Sequence, residues 1–407
     1  MPLSTKIKST VSLLGALSFF LSAIEFLFPK PLPFIRIGIA NLPILLGLQI
    51  LPFPAFMFLV FIKILGQALI SGTLFSYVFI FSLGGTLTSA LFMAGINKLL
   101  GKNLSLMGIS TAGAFASNIV QLYLAYVFIF GSSVRYMAAP VLALGLITGA
   151  LLGYITEYFK MHSRWYKSLF TGSTEAPFLY QEEFLKKENS SLSLRHKREA
   201  FFLGMFNANE LAITGLCMLP ALLFNSDTIG RVFQCLFFMF LAWLSGKKIN
   251  FVFTAFVVFF IVFFNLFLPY GEVIFTLASF NITAGALFGG IRRAMTLTGL
   301  LMLSRFCIRW DFANFSFNKT GTLGEVIAGS FKVFSILGEK KFSIKKNKWI
   351  EGIDNILLSI TSSSGVIKKE HKGEQKKAPL RSSRVVSRLL LLSFLVIAWI
   401  PFFLALN

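Results

Sequence analysis

Polar side chains that could bind a ligand interrupt the most apolar stretches in the first half of this sequence. Lys63 stands in FMFLVFIKILGQALISG (residues 56–72), and Gln67 follows four residues later on the same face of a predicted helix. Asn118 and Gln121 share a face of another apolar segment, at positions i and i+3. An amine and carboxamides offer positive charge and hydrogen bonds, so the chemistry predicted is recognition of an anionic or polar group.

Three more polar residues accompany this group in the neighbouring segments. Asn41 lies in the second apolar segment, Arg36 begins that segment, and Glu25 lies one turn before the end of the first. Lys63 lies about ten residues from either end of its segment, near the midplane of a bilayer at about 1.5 Å of rise per residue. The predicted substrate-binding residues are Glu25, Arg36, Asn41, Lys63, Gln67, Asn118 and Gln121.

Polar groups in hydrocarbon find no hydrogen-bond partners there, so they tend to face each other, water or a ligand. One interpretation is an ion pair between Lys63 and Glu25 that fixes helix packing. The other is a pocket, open to the outside of the membrane, in which Lys63 and the amides receive a small molecule. The pocket is favoured because amides on two helices exceed what one ion pair needs.

The composition predicts a polytopic integral membrane protein. Of the 407 residues, 56% are hydrophobic, 49 are phenylalanine and only 14% are charged, which is far more apolar than a soluble domain. The net charge of +21 is concentrated between the apolar segments, as expected for cytoplasmic loops. We therefore expect membrane lipid as a partner, and no nucleic acid.

The apolar segments form two blocks and predict an all-α fold with about eleven transmembrane helices. Residues 1–160 form a six-helix membrane domain, 161–208 a charged cytoplasmic linker, and 209–309 a second membrane block. Residues 310–388 form a cytoplasmic amphipathic and basic region, and 389–407 the last transmembrane helix. The predicted spans are 10–28, 36–52, 53–72, 75–97, 104–131, 135–159, 209–224, 231–245, 249–268, 280–309 and 389–406.

Two segments need separate interpretation, because charged residues interrupt their apolar pattern. The segment 280–309 contains Arg292 and Arg293, so it is either one span or a short interfacial piece and a span joined by a bend. In 310–388, apolar residues at helical spacing predict amphipathic helices on the cytoplasmic face. These apolar residues are Leu323, Val326, Ile327, Phe331 and Phe334, then Ile350, Ile353, Leu357 and Ile360.

Basic residues between the segments predict the orientation. Lys6 with Lys8, Lys98 with Lys102, and the Lys and Arg residues of 160–200 fall on one side if six helices alternate. That side is expected to be the cytoplasm of a bacterial inner membrane, which also makes the N-terminus cytoplasmic.

Small residues predict a close helix contact in the sixth segment. Gly145, Gly149 and Gly153 repeat every four residues and let another helix approach. Packing within the six-helix block and contact with another domain or subunit are both open.

Catalytic motifs are missing from the sequence. The nearest match to a phosphate-binding loop, GINKLLGKN at 95–103, has one residue too many and Asn103 where the hydroxyl belongs. The aspartates, Asp227, Asp311 and Asp354, form no pair of motifs that could hold magnesium against a diphosphate. We therefore expect no enzyme activity, no bound metal and no cofactor.

Three stretches resemble the Gx transporter family, whose members are also labelled heptaprenyl diphosphate synthase component I. They are FIRIGIANLPILLGL (34–48), FIKILGQALISGTLFSY (61–77) and ASNIVQL (116–122). The resemblance covers about residues 10–160 and implies the substrate-binding S component of an energy-coupling factor (ECF) transporter. Lys63 stands where the resemblance leads us to expect arginine. The positions that it carries over are Arg36, Gly38, Asn41, Lys63, Gln67, Asn118 and Gln121.

The second block, with PYGEVIFTLASFNITAGALFGGIRRAMTLTGLLMLSRF at 269–306, is similar to the T component of the same transporters. Together the two resemblances imply a membrane transport component that takes up a small anionic or polar molecule. ATP hydrolysis would then come from separate cytoplasmic ABC-type ATPase subunits. The older family label implies an alternative, an accessory subunit of isoprenoid or quinone synthesis. A structural partner of a membrane redox complex is a third hypothesis.

Overall fold

Apolar helices dominate the computed structural model. It describes residues 5–27, 38–101, 103–171, 194–247, 249–277, 280–308, 322–339, 354–355, 357–358 and 381–405. The first block consists of α1 (Thr5–Leu27), a 3-10 turn (Ile39–Asn41), α2 (Leu42–Ile50), α3 (Phe53–Ser71), α4 (Tyr77–Leu100), α5 (Leu106–Ala125), a π-helical turn (Tyr126–Phe130), a 3-10 turn (Gly131–Ser133), α6 (Val134–His162) and α7 (Arg164–Thr171).

The remaining elements follow after residue 193. They are α8 (Leu194–Met205), α9 (Ala208–Leu223), α10 (Thr228–Leu244), α11 (Phe251–Leu266), β1 (Val273–Leu277), β2 (Phe280–Thr283), α12 (Ala284–Cys307), α13 (Thr322–Glu339) and α14 (Arg381–Leu404).

The predicted class, an all-α membrane protein, is confirmed, but the count of about eleven spans is not. The described residues contain six helical stretches that are long and apolar enough to cross a membrane. One of these, Leu106–His162, contains both α5 and α6. Four predicted spans are shorter apolar helices: Ile39–Ile50, Ala208–Leu223, Thr228–Leu244 and Phe251–Leu266.

The helix at Ile39–Ile50 is too short for the span predicted at 36–52. Its 3-10 turn of 3 residues and the 9 residues of α2 cover about 18 Å, against about 30 Å of hydrocarbon. The C-terminal end of α2 lies beside the C-terminal end of α4, where Gln49 Nε2 donates to Asn97 Oδ1 at 3.3 Å. The residues at the start of this short helix, Ala40 and Leu42, are buried among the other helices of the first block.

A β-hairpin, which the sequence analysis did not predict, precedes α12. β1 and β2 pair in antiparallel fashion, with Leu277 opposite Phe280. This answers the question left open for 280–309, because α12 then runs unbroken through Arg292 and Arg293. Arg293 donates to Asn265 Oδ1 on α11 at 2.5 Å, so a neutral amide oxygen accepts one of the hydrogen bonds that the guanidinium offers.

Glycines on α6 pack against α5 within the first block. A Cβ at Gly145 would overlap the Asn118 amide nitrogen, and one at Gly149 would lie 2.7 Å from Ala114 Cβ. A Cβ at Gly153 would overlap the backbone at Met107. The pairs 145/118, 149/114 and 153/107 run in opposite directions, so α5 and α6 form an antiparallel pair. The structure thus shows the internal packing interpretation of this glycine repeat.

The helix predicted around Val326 exists as α13, and its neighbours are helices of the first block. Its apolar residues join α1 and α3 in one core, where the Phe19 and Phe331 rings lie 4.9 Å apart. Ser12 on α1 donates to the Val326 carbonyl at 3.2 Å, and Lys8 pairs with Glu325 at 3.1 Å. The sequence analysis placed this helix in a separate region, but its apolar face is covered by α1. Of the second predicted helix, only 354–355 and 357–358 are described.

The predicted linker 161–208 also contributes to the core at its beginning. Trp165 and Tyr166 of α7 are buried in the same core as α1–α3. Asp354 accepts hydrogen bonds from the Ser163 hydroxyl at 2.5 Å and the Arg164 N–H at 2.6 Å. A carboxylate at this position caps the first turn of α7, so the segment around Asp354 is joined to the corner between α6 and α7.

Candidate functional site

A polar cavity of about 60 Å³ lies within the first block, between the 3-10 turn and helices α2 to α6. Ten of its 17 lining residues have polar side chains, although the surrounding helices are apolar. The polar lining residues are Asn41, Lys63, Ser82, Thr86, Ser89, Ser110, Ser117, Asn118, Gln121 and Thr148. The cavity thus collects hydroxyls and amides from four elements around the amine of Lys63 on α3.

Lys63 is the ionisable side chain among the described residues that line the cavity. It is 2% exposed, in the middle of α3, and its amine donates a hydrogen bond to Thr86 Oγ1 on α4 at 3.2 Å. A charge at this depth requires polar surroundings, because burial away from hydrogen-bonding groups is costly. The hydroxyls of α4 provide those surroundings.

Gly38 and Asn41 bring the start of the short helix to the cavity. Gly38 adopts φ +88°, a left-handed conformation that residues with a Cβ rarely tolerate. The Glu25 carboxylate, 1% exposed, accepts from the N–H of Gly38 at 3.2 Å and of Ala40 at 3.4 Å. Glu25 therefore satisfies backbone donors that a buried helix start would otherwise leave unpaired.

The two amides of α5 are held at the cavity by glycines on the neighbouring helices. Asn118 Nδ2 donates to the Val141 carbonyl at 3.0 Å, over the space left by Gly145. Gln121 Nε2 donates to Ser117 Oγ at 3.0 Å, and a Cβ on Gly85 would lie only 2.5 Å from that nitrogen. Both amides can therefore lie between closely packed helices and still contribute to the lining.

Small hydroxyl side chains are the part of the lining that the sequence analysis missed. Ser82, Thr86 and Ser89 occur at i, i+4 and i+7 on α4, and Ser110 and Ser117 lie seven residues apart on α5. This helical spacing puts each set on one face. The signal was present in the sequence, but single serines and threonines are ordinary in membrane helices and did not stand out.

Three predicted site residues do not belong to this lining. Glu25 binds the backbone of the turn, as described above. Gln67 is buried on α3, and its Oε1 has no partner within the described part of the chain. Arg36 lies outside the described residues. Among the contacts described here, Glu25 binds the turn and Lys63 binds Thr86 Oγ1, and the ion pair between these two stays a prediction.

The size and lining of the cavity limit what it can bind. Its volume corresponds to about four to six water molecules, at about 10–15 Å³ each. An amine, hydroxyls and amides match a small anionic or polar group, since charged groups are bound by charge-assisted hydrogen bonds. An apolar chain would gain no hydrogen bonds from this lining.

The fold and the cavity define a multi-pass helical membrane protein with a polar cavity in its first block. Residues 14–159 match the model of the family described as heptaprenyl diphosphate synthase component I, which confirms the resemblance of that block. Residues 210–310 match a family described as a domain of unknown function (DUF8519). Neither curated proteins nor solved structures gave a match.

Proposed function

We propose that the protein is a membrane transport component whose first block binds a small anionic or polar molecule. The observation that carries the proposal is the cavity, in which buried Lys63 lies among hydroxyl and amide side chains. Buried ionisable groups in membrane helices are expensive, and they commonly mark the path or site of a substrate. The chain itself is proposed to be a binding component without catalytic activity.

The contacts of α1 suggest how α13, which follows the second membrane block, could influence the cavity. α1 packs along α13 through Ser12 and Phe19, and its other end carries Glu25, which holds the turn before Asn41. A shift of α13 would therefore reach a residue of the cavity lining through one rigid helix. We propose that ECF-type ATPase subunits in the cytoplasm drive this shift, in a bacterial inner membrane with the N-terminus inside.

Lys63→Met in membrane vesicles tests the binding role of the cavity. Methionine fills a similar volume without the charge, so we expect affinity or uptake to fall by about 10- to 100-fold, the loss of one charged hydrogen bond. Lys98→Met is the matched control, because Lys98 is exposed near the end of α4. Equal behaviour of wild type and Lys63→Met across a panel of small anions and polar molecules would refute the proposal.

The description of the matching family favours a second candidate, an accessory subunit of heptaprenyl diphosphate synthesis. The polar lining fits a diphosphate group better than a prenyl chain. Capture of the tagged protein in mild detergent distinguishes the two candidates. An ABC-type ATPase among the captured proteins supports transport, whereas a soluble prenyl synthase supports the accessory role.

A further inference from the structure

The helix α8 lies against the corner between α10 and α11 and presents two different faces. Phe202 is buried in the core of the second block, whereas the neighbouring Phe201 is 73% exposed. Glu199 packs on Gly246, where an added Cβ would lie 2.9 Å from the Glu199 Cβ, and its carboxylate lies 3.8 Å from Lys247 Nζ. One face of α8 is therefore fixed on the helices of the second block, and the other faces the surroundings of the protein.

Arg198, on the same helix, has no acidic partner in the described part of the chain. Two ion pairs at this end of the second block engage the neighbouring acids. They join Glu199 to Lys247 at 3.8 Å and Glu210 to Arg388 at 2.8 Å. Arg198 is therefore a cation for which the described residues provide no counter-ion.

The guanidinium of Arg198 lies over the ring of Trp243, with 4.3 Å between its Cζ and the ring centroid. Such stacking fixes the plane of the guanidinium and leaves N–H groups along its edge for an oxyanion. Nη1 is enclosed without a partner, so we assign no ligand to it. Nε and Nη2 are neither enclosed nor hydrogen-bonded within the described residues. Two donors of Arg198 are thus accessible and unused.

We propose that Arg198 and Trp243 form a binding site for the phosphate of an anionic phospholipid. Nε and Nη2 of Arg198 donate to the phosphate oxygens, and the acyl chains lie against exposed aromatic rings beside the site. Phe201 follows Arg198 by three residues, and Phe240 precedes Trp243 by three, so each exposed ring shares a helix face with a member of the site. Basic and aromatic side chains on one face are typical of helices at a membrane interface.

Charge and apolar surface together favour a lipid over a free anion. Arg195 and Lys197 are close to Arg198 in the sequence, and Lys248 follows Lys247. Basic residues next to membrane helices attract anionic headgroups. Trp243 is 47% exposed, as is common for indoles at the boundary of a bilayer. A free anion would gain nothing from the exposed rings. The inference depends neither on the cavity nor on the proposed function.

Native mass spectrometry of the full-length protein in detergent tests the site by titration with two lipids of identical acyl chains. Phosphatidylglycerol is anionic, whereas the choline group neutralises the charge of phosphatidylcholine. We expect wild type to bind its first phosphatidylglycerol at least about 10-fold more tightly than its first phosphatidylcholine. An excess of inorganic phosphate should not displace the lipid, because phosphate makes no contact with the aromatic rings.

Three substitutions assign the lipid preference to this site. Arg198→Met keeps the apolar stem and removes the charge, so the affinity for phosphatidylglycerol should fall by about 10-fold or more. Arg198→Lys keeps the charge without the planar fork and should cause an intermediate loss, as should Trp243→Leu, which removes the ring that orients the guanidinium. Lys98→Met is the control, because it removes an exposed cation near the end of α4 and should change the affinity by less than about twofold.

Several outcomes would overturn the inference and leave the proposed function untouched. One is equal affinity of wild type for the two lipids. Another is equal affinity of Arg198→Met and Lys98→Met for phosphatidylglycerol. Displacement of the lipid by inorganic phosphate would overturn it as well, since the ligand would then be a free anion. If Arg198→Met does not fold, Arg198→Lys and Trp243→Leu decide, and unchanged binding in both overturns the inference.

Discussion

Gly145→Ala places a methyl group where α6 passes the Asn118 amide. A Cβ at this position would overlap Asn118 Nδ2, so the amide must leave the Val141 carbonyl that it now binds. The strain costs about 1–3 kcal/mol and the lost hydrogen bond about 0.5–1.5 kcal/mol, while alanine gains about 1 kcal/mol of helix propensity. We expect a net loss of about 0.5–3.5 kcal/mol in the free energy of unfolding, with weaker ligand binding.

The assay is equilibrium unfolding in detergent or bicelles, combined with ligand binding in nanodiscs. Gly95→Ala is the control, because a Cβ at Gly95 in α4 would meet nothing within 4 Å and should stabilise the helix by up to about 1 kcal/mol. Adding Asn118→Ala removes the overlapping amide, so the double variant should be no less stable than Asn118→Ala alone. The reasoning is refuted if Gly145→Ala matches Gly95→Ala, or if its loss persists without the Asn118 amide.

Two more substitutions, with Lys8→Ala as a control for the second, test the elements that support the cavity. Gly38→Ala forces a Cβ into φ +88°, so it should cost about 1–2 kcal/mol and weaken ligand binding by moving Asn41; unchanged unfolding and binding would contradict this. Phe19→Ala removes a fully buried ring between α1 and α13 and should cost about 3–5 kcal/mol of unfolding free energy. Lys8→Ala breaks the partly exposed ion pair with Glu325 and should cost at most about 1 kcal/mol of unfolding free energy. Equal losses in Phe19→Ala and Lys8→Ala would contradict the claim that apolar packing joins α1 to α13.

The sequence predicted the positions of the apolar helices better than their lengths. Composition alone indicates a membrane protein, and most helix positions agree with the apolar segments. The segment at 36–52 was predicted as a span because its residues are apolar throughout. Its helix begins only at Ile39, after Gly38 in a left-handed conformation that depends on Glu25 of another helix. Such a tertiary contact leaves no periodic signal in the sequence.

The hairpin shows a second limit of hydropathy. Val273, Ile274, Phe275 and Thr276 are β-branched or aromatic, which is typical of a strand, and Phe280 begins a similar run. In a chain this apolar, these residues also suit a membrane helix, and length decides between the two. The short apolar runs on both sides of residues 278–279 were the usable signal.

For the candidate site, side-chain types predicted which helices contribute to it, whereas helix packing determined which of the predicted residues line the cavity. The structure brings Asn41, Lys63, Asn118 and Gln121 into the lining of one cavity, as residue type and helix face suggested. Gln67 shares a face with Lys63 but lies one turn further along α3, outside the lining. Helical spacing predicts the side of the helix from which a side chain projects. It does not predict at which turn of the helix the neighbouring helices leave a cavity, because that depends on their packing.

The central claim is that the polar side chains buried in the first block form one cavity that binds a small anionic or polar molecule. Native mass spectrometry of the purified protein tests it most directly, by comparing wild type with Lys63→Met and the Lys98→Met control. We predict a bound small molecule, distinct from lipid, in wild type and Lys98→Met, and its loss in Lys63→Met. Identical bound masses in all three proteins, or lipid alone in each, would contradict the claim.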